Sequence, residues 1–324
     1  MNDKKYHKLS TLAEVATLYY EKNMKQQDIA ERLNISRTRI SRLIQEAREK
    51  GVVKITINYN LERHYDLEDR LKDKFGLKEA YVLNNRGKTK QEIAKGVYNL
   101  AATVIQKKLK ANMIVGITWG KTVASAISEI NLDSLVPIDI VQLMGSIDTA
   151  DTAVQFQSPQ EIICRLAEKT GGRPHFLNMP FIVTNTKTRK DLYEDSNNAR
   201  ILNMALFCDM VITSIGTLQD LSSSASWLGY MNKRFADDIT EKGGIGSLFG
   251  RFFDKDGNEI DCVWNRLCTG LKLDQLKKIN DVICIISSVH KAEALRATLK
   301  ARNFNILVVD GTTATAVLNP LRNS

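Results

Sequence analysis

The sequence predicts an α/β protein, with a small all-α helix-turn-helix domain at the N-terminus followed by a Rossmann-like α/β domain built on a mostly parallel sheet. Three observations predict this. Apolar residues in the first 50 positions recur at helical spacing with one short break. From about residue 79, short β-branched runs alternate with longer amphipathic stretches, the pattern of strands joined by helices. The length of 324 residues suits two domains, and the pattern divides them into 1–58 and 59–324.

Composition narrows the class. With 43% hydrophobic and 26% charged residues the chain reads as an ordinary globular protein, neither disordered nor fibrous. Its net charge is +9, and residues 1–60 hold 12 Lys and Arg against 7 Asp and Glu. A basic module at one end of a nearly neutral body points to a polyanionic partner. The cysteines Cys164, Cys208, Cys262, Cys268 and Cys284 are odd in number and form no C-x-x-C pair, and there are four histidines. Neither a zinc site nor any cofactor is therefore expected. The polar start MNDKKYHKLS has no apolar core, and no stretch is long enough to span a membrane, which predicts a cytoplasmic protein.

In chain order, residues 9–21 predict a first helix with Leu9, Leu12, Ala13, Ala16, Tyr19 and Tyr20 on its apolar face. In the next helix Ile29, Ala30 and Leu33 share a face, and Asn34-Ile35 breaks it. Ser36 stands where an N-cap belongs, Ile40, Leu43, Ile44 and Ala47 resume the periodicity, and Gly51 ends the helix. The outward positions of this second helix carry Arg37, Thr38, Arg39, Ser41 and Arg42, with no carboxylate before Glu46. Guanidinium, hydroxyl and amide groups on an exposed helix match base edges and phosphates in a DNA major groove. With Gln26, Gln27 and Ser36 they form the expected contact set for double-stranded DNA. Val53, Ile55 and Ile57 alternate with polar residues as a short strand, and 61–75 reads as a helix, either a dimer connector or packed on its own domain.

Strands are then expected at 80–83, 114–118, 138–143, 210–214, 282–287 and 306–309. Helices are expected at 91–109, 122–130, 159–169, 198–207, 291–300 and 312–318. Ligands of open parallel sheets bind beyond the strands' carboxyl ends, so five loops belong together. They contain Thr118, Trp119, Gly120, Lys121 and Thr122, then Gly145 and Ser146, then Gly216 and Thr217, then Ser287 to Lys291, then Asp310 to Thr313. Helix-start amides, hydroxyls and lysines make an anion site that also suits polyols. Gly120-Lys121-Thr122 imitates a P-loop, but the required glycine five residues earlier is Val115, which excludes an NTPase.

The segment Q-Q-D-I-A-E-R-L-N-I-S-R-T-R-I-S-R-L-I resembles the helix-turn-helix of bacterial transcriptional regulators. The body resembles the effector domain of the SorC family. The signatures are G-I-T-W-G-K-T at 116–122, V-Q-L-M-G at 141–145, S-I-G-T at 214–217, G-S-L-F-G-R-F-F-D-K-D-G at 246–257, H-K-A-E-A-L at 290–295 and L-V-V-D-G at 307–311. The resemblance implies a sugar-phosphate-isomerase-like fold that serves as a sensor. Thr118, Gly120, Lys121 and Thr122 would line the effector site, Gly145 and Ser146 would contribute from the next strand, and Lys291 would face a phosphate. Ser247 occupies a place where the family usually carries an acid, and Ser287-Ser288 a place of paired glycines. The expected function is a non-enzymatic regulator of a carbohydrate operon, a homodimer or homotetramer controlled by a sugar or sugar phosphate. The rival is a sugar-phosphate isomerase or deaminase, for which Asp148, Asp254, Asp310 and His290 are the candidate bases.

Overall fold

The computed structural model of the chain describes residues 3–53, 62–147, 158–223 and 230–319. It divides into two compact units, Met1–Asn60 and Leu61–Ser324.

In the first unit α1 (Asp3–Ala16) runs on into a π-helical turn, Thr17–Glu21. The helix starts six residues before the expected position, because residues 3–8 are polar and their helicity leaves no apolar periodicity to read. Asn34, with φ 53°, follows α2 (Gln26–Arg32) and closes it in the left-handed region that asparagine tolerates. The Ser36 hydroxyl accepts from the Arg39 amide at 3.3 Å and starts α3 (Arg37–Glu49). Ile40, Ile44 and Ala47 turn inward among Leu12, Val15, Leu18 and Ile29, which fixes the opposite face of α3 outward. The strand expected after Val53 lies outside the described residues.

In the second unit α4 (Tyr65–Phe75) begins four residues later than expected. Residues 62–64 instead lie antiparallel along the edge of β1 (Glu79–Leu83), with His64 N–H donating to Val82 O and Asn84 N–H to Glu62 O, both at 2.8 Å. Leu67 and Leu71 pack in the same cluster as Ala80 and Val82, so α4 belongs to its own domain's core.

The remaining elements are α5 (Lys90–Lys108), β2 (Ile114–Ile117), α6 (Lys121–Ser128), β3 (Asp139–Gln142), α7 (Pro159–Thr170), β4 (Arg173–His175), α8 (Thr186–Glu194), α9 (Ser196–Leu206), β5 (Met210–Thr213), β6 (Ile215–Thr217), α10 (Leu218–Ser223), α11 (Lys233–Glu241), β7 (Gly246–Leu248), β8 (Arg251–Phe253), α12 (Val263–Leu267), α13 (Leu273–Leu276), β9 (Asp281–Ile286), α14 (Ala292–Lys300), β10 (Ile306–Asp310) and α15 (Gly311–Leu318). Seven strands form one parallel sheet in the order β1-β10-β9-β5-β2-β3-β4, and β6, β7 and β8 form a small antiparallel sheet beside it. Alternate strand residues feed two cores. Ile212, Ile283, Ile285, Ile306 and Val308 meet α5, α6 and α7, while Val211, Cys284, Ile286, Leu307 and Val309 meet α4, α9, α14 and α15. This two-sided burial is why the strands read as continuous apolar runs. Gly116 keeps β2 open to its neighbours, since a Cβ there would stand 2.8 Å from the Leu143 methyls and 2.9 Å from Cys208 Sγ. The three-residue strands and α10, α12 and α13 were not expected from periodicity, because such short elements leave too few repeats to read; α8 and α11, of nine residues each, were not expected either.

Candidate functional site

The chain order reverses at the centre of the sheet. After β2 it moves outward to β3 and β4, and after β5 it moves the other way to β9 and β10. A parallel sheet has its ligand crevice at such a switch point, beyond the carboxyl ends. Buried Thr118 spans it, its Oγ1 lying 3.3 Å from Thr213 Oγ1 and 3.4 Å from Ile212 O. Trp119 turns into the core, edge-on to Phe181 at 5.3 Å between ring centroids.

Three of the helices that begin at this edge differ in their first turns. α15 is capped by Asp310, whose Oδ1 accepts from the Thr313 amide at 3.0 Å and from Asn85 Nδ2 at 2.9 Å, and whose Oδ2 accepts from Thr313 Oγ1 at 2.5 Å. α10 is capped by Thr217, which accepts from the Asp220 amide at 3.2 Å while Asp220 Oδ2 accepts from the Thr217 amide at 3.0 Å. α6 starts at Gly120, with φ 130° and no side chain to cap with. Among the described residues no side chain caps its first turn, where exposed Lys121 and half-buried Thr122 stand.

Lys291 follows β9 and reaches the start of β6, two residues beyond β5, where Nζ donates to Ile215 O at 2.7 Å and pairs with Asp220 Oδ2 at 3.2 Å. Asp220 Oδ1 lies 2.8 Å from His290 Nε2, and His290 Nδ1 lies 2.7 Å from Ser288 Oγ. Burial alone would raise the Asp220 carboxyl, but Lys291, His290 and the Thr217 amide hold it below its ordinary value. The nitrogens are swapped relative to a hydrolytic triad, in which serine meets Nε2 and the carboxylate meets Nδ1. Asp220 is absent from the sequence-derived set, although Thr217-x-x-Asp220 is a capping-box spacing that could have marked it.

Other expected positions are packed. Gly145 is buried, and a Cβ there would stand 2.2 Å from Thr269 Oγ1 and 2.6 Å from Pro180 O, so it serves close packing. Ser146 Oγ accepts from Gln142 Nε2 at 2.9 Å and Gln160 Nε2 at 2.6 Å. Gly216 pairs with buried Ser247, whose Oγ would lie 2.8 Å from a Cβ on that glycine. Asp254 is a turn residue, its Oδ1 accepting from the Asp256 amide at 2.9 Å and the Asn258 amide at 3.0 Å. Asp148 lies outside the described residues. Arg251, in the F-G-R-F-F run, is buried and donates to the carbonyls of Leu271, Asn265 and Cys268 and to Glu259, which holds the small sheet on the loops that follow it.

In the first unit Arg37, Thr38, Arg39, Ser41, Arg42 and Gln45 are all exposed on one side of α3. None of the three arginines pairs with a carboxylate among the described residues, whereas Arg48 is held by Tyr20 OH at 2.6 Å. Ser36 is committed to the cap and Gln27 to Glu31 Oε1 at 3.1 Å, while Gln26 is half-buried at the start of α2. Among the described residues no group of three metal-ligating side chains converges, and no helix is long and apolar enough to cross a membrane.

Residues 59–319 match the Sugar-bind model, a sugar-binding domain, and residues 11–50 match the model of region 4 of sigma-70. The deoxyribonucleoside regulator of Bacillus subtilis is 30% identical over 308 residues, covering 95% of this chain and 97% of the relative. The sorbitol operon regulator of Klebsiella pneumoniae is 26% identical, covering 95% and 97%. The crystal structure of the full-length sorbitol operon regulator SorC from Klebsiella pneumoniae superposes with a TM-score of 0.73 at 25% identity, covering 98% of this chain and 100% of that one.

Proposed function

The chain belongs to the SorC family of sugar-binding transcriptional regulators, and from that premise we propose that it binds operator DNA through α3 and changes its operator affinity when a phosphorylated sugar or polyol occupies the crevice between β2 and β5. The observation that carries the reading is the uncapped start of α6. Its open amides, with Lys121 beside them, are a ready receptor for a phosphoryl group. In this reading Thr118 and Thr122, which follow β2, and Thr217 and Lys291, which lie beyond β5 and β9, supply donors for hydroxyls and phosphate. Asp310 and Gly145 act through their packing rather than by touching the ligand, and Ser247 lies beneath Gly216.

The deoxyribonucleoside and sorbitol operon regulators are named for carbohydrate control, which supports a pentose or hexitol-sized ligand. Operator recognition by a single short helix is weak, so useful affinity calls for two half-sites and hence a homodimer or homotetramer built through residues 62–324. Sedimentation of that fragment at micromolar concentration should show association. A strictly monomeric fragment would sink the assembly.

The deciding experiment is a thermal-shift screen of the full-length chain against matched free and phosphorylated pentoses, hexoses and polyols, followed by operator titrations with any stabilising ligand. A phosphorylated compound should both stabilise the protein and shift operator affinity. Equal effects of the free sugar would refute the phosphate reading. A sensor binds without converting, so multiple-turnover assays on the same phosphates should yield no product.

A further inference from the structure

We propose that Asp220 is the resident counter-anion of the effector site and sets its selectivity, because Lys291 is released to a ligand only in exchange for the Asp220 carboxylate. A phosphoryl dianion is thereby admitted and a lone carboxylate refused. The inference rests on the reading that the ligand's anionic end is received beside the end of β5.

Lys291 has three donors. Ile215 O takes one at 2.7 Å and Asp220 Oδ2 another at 3.2 Å, and its side chain is 15% exposed. An ammonium this poorly hydrated requires a compensating charge when no ligand is bound. Any anion that approaches it also approaches Asp220, whose side chain is 29% exposed. For a ligand carboxylate the exchange is symmetrical, one carboxylate replacing another, and yields no net attraction. A phosphoryl group carries nearly twice the charge and three acceptor oxygens, and β2 and β9 flank β5 at about 5 Å each. It can meet Lys291 and the open first turn of α6 together. Released from Lys291, the carboxylate still has partners at hand, since in the resting structure Oδ1 lies 2.8 Å from His290 Nε2 and Oδ2 3.0 Å from the Thr217 amide. Ser288, 2.7 Å from His290 Nδ1, holds the imidazole in place to receive it.

The test is calorimetric titration of the full-length chain with inorganic phosphate, acetate, and a pentose and a hexose phosphate. The variants are Asp220→Asn, Asp220→Ser, Lys291→Gln, Lys121→Gln and Asp220→Asn with Lys291→Gln. Serine and asparagine both keep an acceptor for the Thr217 amide, and thermal melts check folding. Asp220→Asn should tighten phosphate by roughly tenfold, tighten acetate more, and so narrow the preference between them. The gain should vanish when Lys291→Gln is added. Weaker or unchanged phosphate binding in the folded aspartate variants overturns the proposal. If phosphate binding depends on Lys121 but on neither Asp220 nor Lys291, the effector site stands and the exchange role falls. If it depends on none of the three, both fall.

Discussion

Arg63 and Glu68 form a two-point pair across the start of α4, with Nε donating to Oε1 at 2.8 Å and Nη2 to Oε2 at 2.5 Å. Glu68 is 3% exposed, and Oε1 also accepts from the Val82 amide at 2.9 Å. The Arg63 guanidinium lies 4.7 Å from the Tyr81 ring centroid and 4.9 Å from that of Tyr65. The pair pins the chain to the β1 edge at the point where it enters the second unit. Glu68→Ala orphans a guanidinium and a buried amide, so it should cost about 2–4 kcal/mol in urea unfolding. A loss under half a kcal/mol would show that water replaces the pair freely.

On the DNA side, Arg37, Arg39 and Arg42 are exposed, with no carboxylate partner among the described residues, on a helix whose inner face is fixed by Ile40 and Ile44. Arg39→Ala should weaken operator binding by about 1–3 kcal/mol and leave effector binding unchanged. Normal operator binding by all three alanine variants would remove α3 as the reading helix.

Gly145 separates packing from binding. Gly145→Ala drives a methyl into Thr269 Oγ1 and the backbone of Pro180 and Phe181, so it should lower stability by about 1–3 kcal/mol. If the variant melts like the wild type but binds effector poorly, Gly145 touches the ligand after all.

At the amino edge of the sheet Lys108 bridges Glu79 at 2.5 Å and Asp281 at 3.2 Å, and Lys78 also pairs with Asp281. Burial would raise both carboxyls, yet their lysine partners, with the Tyr81 hydroxyl on Glu79, hold both below their ordinary values. A depressed carboxylate contributes stability above its unfolded pKa and loses it as pH falls through the folded one, so this contribution should fade below about pH 4. Lys108→Gln should lower stability at neutral pH and flatten that acid loss, as read from unfolding free energies across pH. Parallel curves for the two proteins would dissociate the pair from the acid response.

What the sequence determined by itself was local and periodic. Ile40, Ile44 and Ala47 at helical spacing fixed which face of α3 turns outward, and Asn34 with Ser36 fixed where one helix ends and the next begins. The apolar runs ending at Ile117, Thr213 and Ile286 marked parallel strands buried on both faces, and so which loops share an edge. Residues 62–64 misled because edge pairing depends on which strand ends up outermost, not on local pattern. Tertiary structure alone decided the partnerships. Lys291 read as facing a phosphate, and only the strand order shows that it lies beyond the end of β5 beside Asp220. Gly145 and Asp310 read as lining the effector site, and only the packed structure shows that Thr269 crowds one and that Thr313 with Asn85 holds the other. Periods of 2 and 3.6 are written along the chain and can be read there. The charge that neutralises a buried lysine comes from whatever residue the packed sheet brings near it, and that is a property of the whole fold.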